Sequence, residues 1–353
     1  MTKPRVAPWG GLGSAPLAAV VFLATLLAPT GAAAASSRQF PTLSLNDRGT
    51  DVETVQILLL DRGWALPETA VFDPATQAAV ASFQLDSGLS RTGVVDPATW
   101  LKLVRSLSLG STGAAVRALQ LELHRKRGVA MPAHPGTFDG PTKAAVVAFQ
   151  RHMGLTASGS VGATVWRELI WHFQVPTFSK SANLCDYSTG NGTANWATAE
   201  AIASLQGFAL AAKTAKLGML SLGDASLEHG GDIAGHETHE IGLDLDILAV
   251  RHDRRGCAGT TWRSATYDRA ATLRLIKLIR ALAPGHIKLI YFDDPVLIRE
   301  GYTTYKVGHD DHVHVRFCEA AAADSRYVCK PAALPPLYER PISGGRLSGL
   351  VRS

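Results

Sequence analysis

The feature that most narrows the folds open to this chain is a repeat in its first half. VFDPATQAAVASFQLDSGLSRTGVVDPATW, residues 71–100, parallels TFDGPTKAAVVAFQRHMGLTASGSVGATVW, residues 137–166. Phe83-Gln84 matches Phe149-Gln150, Gly88-Leu89 matches Gly154-Leu155, and Trp100 matches Trp166, all at one constant offset. Upstream, DRGTDVETVQILL matches GSTGAAVRALQLEL, with the first copy two residues shorter. Self-similarity at a fixed period marks one supersecondary unit used twice. Each copy reads as three helices. Val52, Val55, Leu58 and Leu59 fall at helical spacing within residues 51–61. Asp73-Pro74 starts a second helix, with Asp as N-cap and Pro in the first turn, and it runs through Ala79, Val80 and Phe83; Asp96-Pro97 starts a third that ends near Leu103. Phe83, Phe149, Trp100 and Trp166 are expected to form the core of such small units rather than to stack on a ligand.

The second half carries different chemistry. Of the 12 histidines, six lie between residues 229 and 239 or between 309 and 314. GHETHEIGLDLDI, residues 235–247, places His239 seven residues before Asp246, and HDDHVHVRF, residues 309–317, places His312 two residues before His314. Two imidazoles and a carboxylate would give a zinc ion three ligands and leave a fourth position open, the mark of a catalytic site rather than a structural one. HVHVRF reads as a β-strand, so His312 and His314 project from one face. In LDLDI the same alternation puts Asp244 and Asp246 together, opposite Leu243, Leu245 and Ile247. The helical zincin pattern HExxH is absent, because Glu240 stands where its second histidine would be. Asp244 is expected to hydrogen-bond behind the metal and Arg316 to serve as an ion-pair partner. His124, His134, His152, His172 and His286 read as ordinary surface or partly buried residues.

The string from GGDIAGHETHEIGLDLDI through HDDHVHVRF, with Gly230, Gly231, Gly223-Asp224 and the segment GNGTANWATAEAI, resembles the penicillin-insensitive murein endopeptidases. These belong to a wider group that includes lysostaphin-type and D-alanyl-D-alanine metallopeptidases. The resemblance covers roughly residues 185–330, with Glu237-Thr238 departing from the family pattern. It implies His239, Asp246 and His314 as zinc ligands, His312 as the catalytic histidine, and His236 and His309 lining the site. The FDxxTxxAVxxFQxxxGL string of the repeats is similar to small helical peptidoglycan-binding modules.

Export is the expected fate. Lys3 and Arg5 precede an apolar stretch, Ala15 to Ala28, too short for a comfortable membrane span, and an A-x-A site lies within Ala32 to Ala35. Cleavage there removes two positive charges from a formal +5, leaving a mild basic excess. No Lys/Arg run with interleaved aromatics points to nucleic acid, and no later segment suggests stable membrane insertion. In an oxidising compartment the four cysteines favour two disulfides, with three connectivities possible. Cys318–Cys329, which flank a short excursion after the HxH strand, are the favoured pair, with Cys185–Cys257 by default.

The expected organisation is a signal peptide over 1–35, all-α three-helix modules over 41–104 and 108–172, and a linker over 173–195. An α+β zinc peptidase domain with an antiparallel sheet follows over 185–330, then a flexible tail over 331–353. The expected function is that of an exported zinc endopeptidase, periplasmic or extracellular and wall-associated, acting on the D-alanyl to diamino-acid cross-links of peptidoglycan. A D,D-carboxypeptidase or other stem-peptide hydrolase is the alternative within enzymes; a non-catalytic wall-binding protein is the alternative outside them.

Overall fold

The computed structural model describes residues 39–188, 194–319 and 325–329. The segments expected to be a signal peptide and a C-terminal tail, and part of the GNGTAN segment, fall outside these residues.

The first repeat consists of α1 (Thr50–Asp61), α2 (Pro74–Asp86) and α3 (Pro97–Leu103), and the second of α4 (Ala114–Arg127), α5 (Gly140–His152) and α6 (Ala163–Trp171). Asp73, Asp96 and Asp139 each accept a hydrogen bond from the third backbone N–H of the helix they cap, worth about 1 kcal/mol apiece. Phe83, Phe149, Trp100 and Trp166 are all buried, as the core reading expected. The repeat also explains its own invariants. Trp100 Nε1 donates to the carbonyl of Pro41 at 2.9 Å, and Trp166 Nε1 donates to that of Arg105 at 2.8 Å. Each indole thus fastens the strand entering its unit. Gln84 and Gln150, beside the buried phenylalanines, donate to the carbonyls of Val94 and Ser160 and accept from the N–H groups of Gly93 and Gly159. The two units share one core, with α1 packed on α4.

A second core belongs to the C-terminal part. Its sheet contains β1 (Leu184–Asp186), β2 (Leu220–Leu222), β3 (Asp244–Leu248), β4 (Ile287–Tyr291) and β5 (His312–Phe317), in the order β1-β2-β3-β5-β4. All neighbours pair antiparallel except β1 and β2, which are parallel, so the sheet is mixed at one edge. The segment read as a linker supplies β1 and is therefore partly built into the sheet. Leu245 and Ile247 of β3 and Val313, Val315 and Phe317 of β5 join the core with α7 (Ala199–Thr214) and α8 (Arg269–Leu282). Asp244 and Asp246 alternate with the apolar residues of β3, and His312, His314 and Arg316 with those of β5, so these five face away from the helices. Cys185–Cys257 and Cys318–Cys329 are bonded, matching the favoured pairing.

The repeats dock directly on this domain. Gly49, with a φ of 107°, lies so close to α7 that a Cβ there would stand 2.5 Å from the carbonyl oxygen of Ala199. Beside it, Asp47 pairs with His286 at 2.9 Å, and the backbone N–H of Arg48 donates to the Glu200 carboxylate. Burial opposes the charged form of His286, but Asp47 and then Glu200 outweigh it and raise its pKa to about 9. Burial, followed by the charge of Asp47, pushes Glu200 up to about 8. Both folded-state values exceed the unfolded ones, so the stability they contribute is complete below the unfolded values and is lost as pH rises through 8 to 9. The melting temperature of the full chain is therefore expected to fall between pH 6 and 9, and to fall less in Asp47→Asn. Equal slopes in calorimetric scans of the two proteins would rule this junction out as the cause.

Candidate metal centre

The polar face of the sheet places the motif residues opposite one another. In the β3–β5 register Asp246 pairs with His314, Asp244 with Arg316 and Leu248 with His312. The third histidine arrives on the loop between β2 and β3, where His239 holds a left-handed φ of 77°. That conformation is uncommon for a side chain larger than glycine and needs a surrounding that enforces it. Phe173, just beyond α6, helps to do so. A Cβ on Gly242, whose φ is 71°, would lie 2.8 Å from the Phe173 ring, so the loop can pass only as glycine.

Donor atoms of three residues converge. His239 Nε2 is 3.2 Å from His314 Nδ1 and 3.4 Å from Asp246 Oδ2, and His314 Nδ1 is 2.9 Å from Asp246 Oδ1. Ligands about 2.0–2.1 Å from a tetrahedral zinc stand about 3.3 Å from one another. The spacing and the donor types therefore fit such an ion. All three side chains are buried.

The outward-facing atoms of the two imidazoles are each engaged. His239 Nδ1 faces the carbonyl of Ala225 at 2.6 Å, and His314 Nε2 faces Asp244 Oδ1 at 2.9 Å. Asp244 also accepts from Arg316 Nε at 2.8 Å and from the Tyr327 hydroxyl at 2.7 Å. Such partners fix the tautomer that turns the remaining nitrogen towards a metal. Asp244 and Arg316 thus take the supporting positions expected of them. Burial works against the carboxylate of Asp246, yet His239 and His312 hold its pKa well below the usual range. Burial likewise opposes protonation of His239 and His314, but the neighbouring carboxylates outweigh it and raise both.

His312 stands at the edge of this triad, Nε2 3.5 Å from Asp246 Oδ1, while its Nδ1 is 2.7 Å from Asp311. Burial lowers its pKa, but Asp246 and Asp311 more than compensate. His236 closes the other side, Nε2 3.8 Å from Asp246 Oδ2 and 3.5 Å from Asp224 Oδ2. His309 precedes β5, which begins only at His312, so strand alternation does not govern it. The preceding turn sets its ring 4.8 Å from that of His312, 5.2 Å from that of His314 and 5.2 Å from that of Tyr291. Burial and the two neighbouring histidines lower its pKa to about 4, so it is neutral at ordinary pH.

All six expected residues therefore gather at one place. Sequence reasoning missed Ala225, Asp311, Tyr291 and Tyr327. Asp311 adjoins His312 and could have been singled out; Tyr327 reaches Asp244 only through the excursion closed by Cys318–Cys329.

Comparison with known proteins matches three segments of the chain. Residues 48–103 and 112–169 match the family model of a putative peptidoglycan binding domain, and residues 189–280 match that of penicillin-insensitive murein endopeptidase. The second match ends before the HxH strand. An uncharacterized protein in the bpoA1 3′ region of Kitasatospora aureofaciens is 39% identical over 74 residues, 20% of this chain and 63% of that protein. The crystal structure of a Burkholderia AP3 phage endolysin is 22% identical, covering 39% of this chain and 41% of its own, with a TM-score of 0.17, too low to inform the fold. The chain thus spans less than two thirds of either relative. It is similar, in order, to two peptidoglycan-binding domains and one penicillin-insensitive murein endopeptidase domain.

Proposed function

We propose that this chain is an exported zinc endopeptidase that hydrolyses the D-alanyl to diamino-acid cross-links of peptidoglycan, held on its polymer by the two repeats. The observation that carries the chemistry is the convergence of His239 Nε2, His314 Nδ1 and Asp246 at 2.9–3.4 Å. His239, Asp246 and His314 would hold the metal. When bound, zinc polarises a scissile carbonyl and acidifies water in its open position. The protein then has to move a proton and steady the charge that develops. His312 is suited to moving the proton, because Asp311 holds Nδ1 and leaves Nε2 on the metal side to accept a proton and return it to the leaving amine. His309, whose single N–H is turned to the Lys306 carbonyl, borders the same space with Tyr291 and shields the reacting groups from solvent, which leaves the Tyr291 hydroxyl as the group that can donate to an oxyanion. His236 steadies Asp246 from the side opposite His312.

Because the ligand histidines bind metal only when unprotonated, turnover should fall at acid pH, in step with zinc loss at equilibrium dialysis. Retention of full zinc at a pH where activity has vanished would place the titration elsewhere. Mass spectrometry of products from cross-linked sacculi, digested with and without chelator, tests the reaction itself. Muropeptide monomers released from dimers, and only without chelator, support the endopeptidase. Release of free D-alanine alone would assign a carboxypeptidase.

The repeats own a core separate from that of the peptidase part. Residues 41–172 alone are expected to co-sediment with insoluble peptidoglycan and to cleave nothing. Failure to bind sacculi of several wall chemotypes would point instead to docking on another protein. The C-terminal sheet would then owe its access to the wall to its own surface. Among the described residues no helix is long and apolar enough to cross a membrane.

A further inference from the structure

We propose that His152, His172, His229 and Glu228 form a second divalent-metal site, structural rather than catalytic, that clips the second repeat to the peptidase domain. His152 ends α5, and His172 directly follows α6. Glu228 and His229 lie on the loop between β2 and β3, a few residues before His236 and His239. The three rings face one another with centroids 5.1–5.7 Å apart, and one nitrogen of each lies within 4.8 Å of the others. The Glu228 carboxylate oxygen Oε1 stands 3.2 Å from His152 Nε2 and 3.5 Å from His172 Nε2. The two Glu228–histidine separations are those of ligands on one tetrahedral zinc, about 3.3 Å, and the histidine nitrogens stand within reach of the same point.

The protonation chemistry fits. His172 Nδ1 lies 2.6 Å from the carbonyl of Phe173, to which it donates, and this leaves a lone pair on Nε2 facing the cluster. Burial lowers the pKa of His172 to about 4 and also depresses that of His152, so both offer unprotonated nitrogen at neutral pH. Three imidazoles and one carboxylate complete four-coordination and leave no position for water, which separates this set from the open one on the sheet. No residue is common to the two.

Arg127 occupies the place a cation would take. Its Nη1 is 3.1 Å from His172 Nε2 and 2.6 Å from Glu228 Oε1. Its side chain is 24% exposed and can turn outwards, whereas His172 is fixed in the interface. His152 and His229 are exposed and can close the remaining distance. In the metal-free protein Arg127 neutralises Glu228; on loading, the ion takes over that role.

The test uses the full chain, stripped with chelator, equilibrated with Zn2+ alone, desalted, and assayed for metal per chain by plasma mass spectrometry. Two equivalents are expected in the unaltered protein, one in His314→Ala, one in His229→Ala, and none in the double variant. Circular dichroism confirms folding, and the exposure of His229 makes its truncation benign. In the His314→Ala background, Arg127→Gln should tighten the surviving zinc on the order of tenfold, since a like charge leaves the site. A single equivalent that disappears in His314→Ala overturns the proposal, as does a second equivalent that persists in His229→Ala. An affinity unchanged or weakened by Arg127→Gln would overturn the placement of the ion. A single equivalent lost in His229→Ala but kept in His314→Ala would uphold the clip and count against the ligands proposed on the sheet.

Discussion

His239→Ala and His314→Ala should each lose the zinc held on the sheet and all measurable hydrolysis of muropeptide dimers. Each imidazole supplies one of three protein donors, and the remaining pair cannot close a tetrahedral site. The two losses arise differently. His314 lies in β5 across from Asp246, and its removal also strips Asp244 of a partner while Arg316 and Tyr327 remain on that carboxylate. His239 sits on a loop in a left-handed conformation, so alanine there also removes the contact to the Ala225 carbonyl that helps to hold the loop. His314→Ala is therefore the cleaner test of ligation, and His239→Ala should additionally loosen the loop. Both are best measured in a His229→Ala background, so that the only zinc counted is that on the sheet. A folded variant that keeps a full equivalent there would remove that histidine from the ligand set.

His312→Ala should behave in the opposite way, keeping zinc and losing turnover on the order of a hundredfold or more, the usual size for a missing general base or oxyanion donor. The geometry supports the separation. His312 is 3.5 Å from Asp246 Oδ1, and its second nitrogen is committed to Asp311. If it were a fourth ligand the open position would close. Asp311→Asn should reproduce part of the loss by freeing the ring to rotate, with zinc unchanged. The deciding measurement sets zinc content beside the initial rate of dimer cleavage. If His312→Ala empties the sheet site while His314→Ala leaves it filled, the two roles must be exchanged.

What was legible beforehand was what the chain states locally. Asp-Pro at a helix start, the Phe-Gln pair of each repeat and the alternation of HVHVRF depend on neighbours a few residues away, and all appear as read. The candidate ligands His239, Asp246 and His314 came from the family resemblance; the alternating polar faces of β3 and β5 were legible in the sequence, but the register that sets Asp246 opposite His314 was not. The rest depends on segments remote in sequence. Asp47, Glu200 and His286 meet because the first turn of the first repeat rests on the peptidase domain. His152, His172 and His229, which read as unremarkable one by one, acquire meaning only when α5 and α6 reach the β2–β3 loop. The three-residue β1 is too short to show a period, and it hid inside a segment rich in Ser and Asn.

The Phe173 ring, wedged against Gly242 and within 3.7 Å of where a Gly230 Cβ would lie, changes where the molecule can be cut. By sequence it opens the segment read as a linker, yet it props the loop that presents His239. A peptidase fragment that begins after it would inherit every proposed ligand and lose the wedge beneath one of them. For anyone grafting this catalytic unit onto a different targeting module, the seam therefore belongs upstream of Phe173, and swaps made downstream would trade affinity for a slack active-site loop.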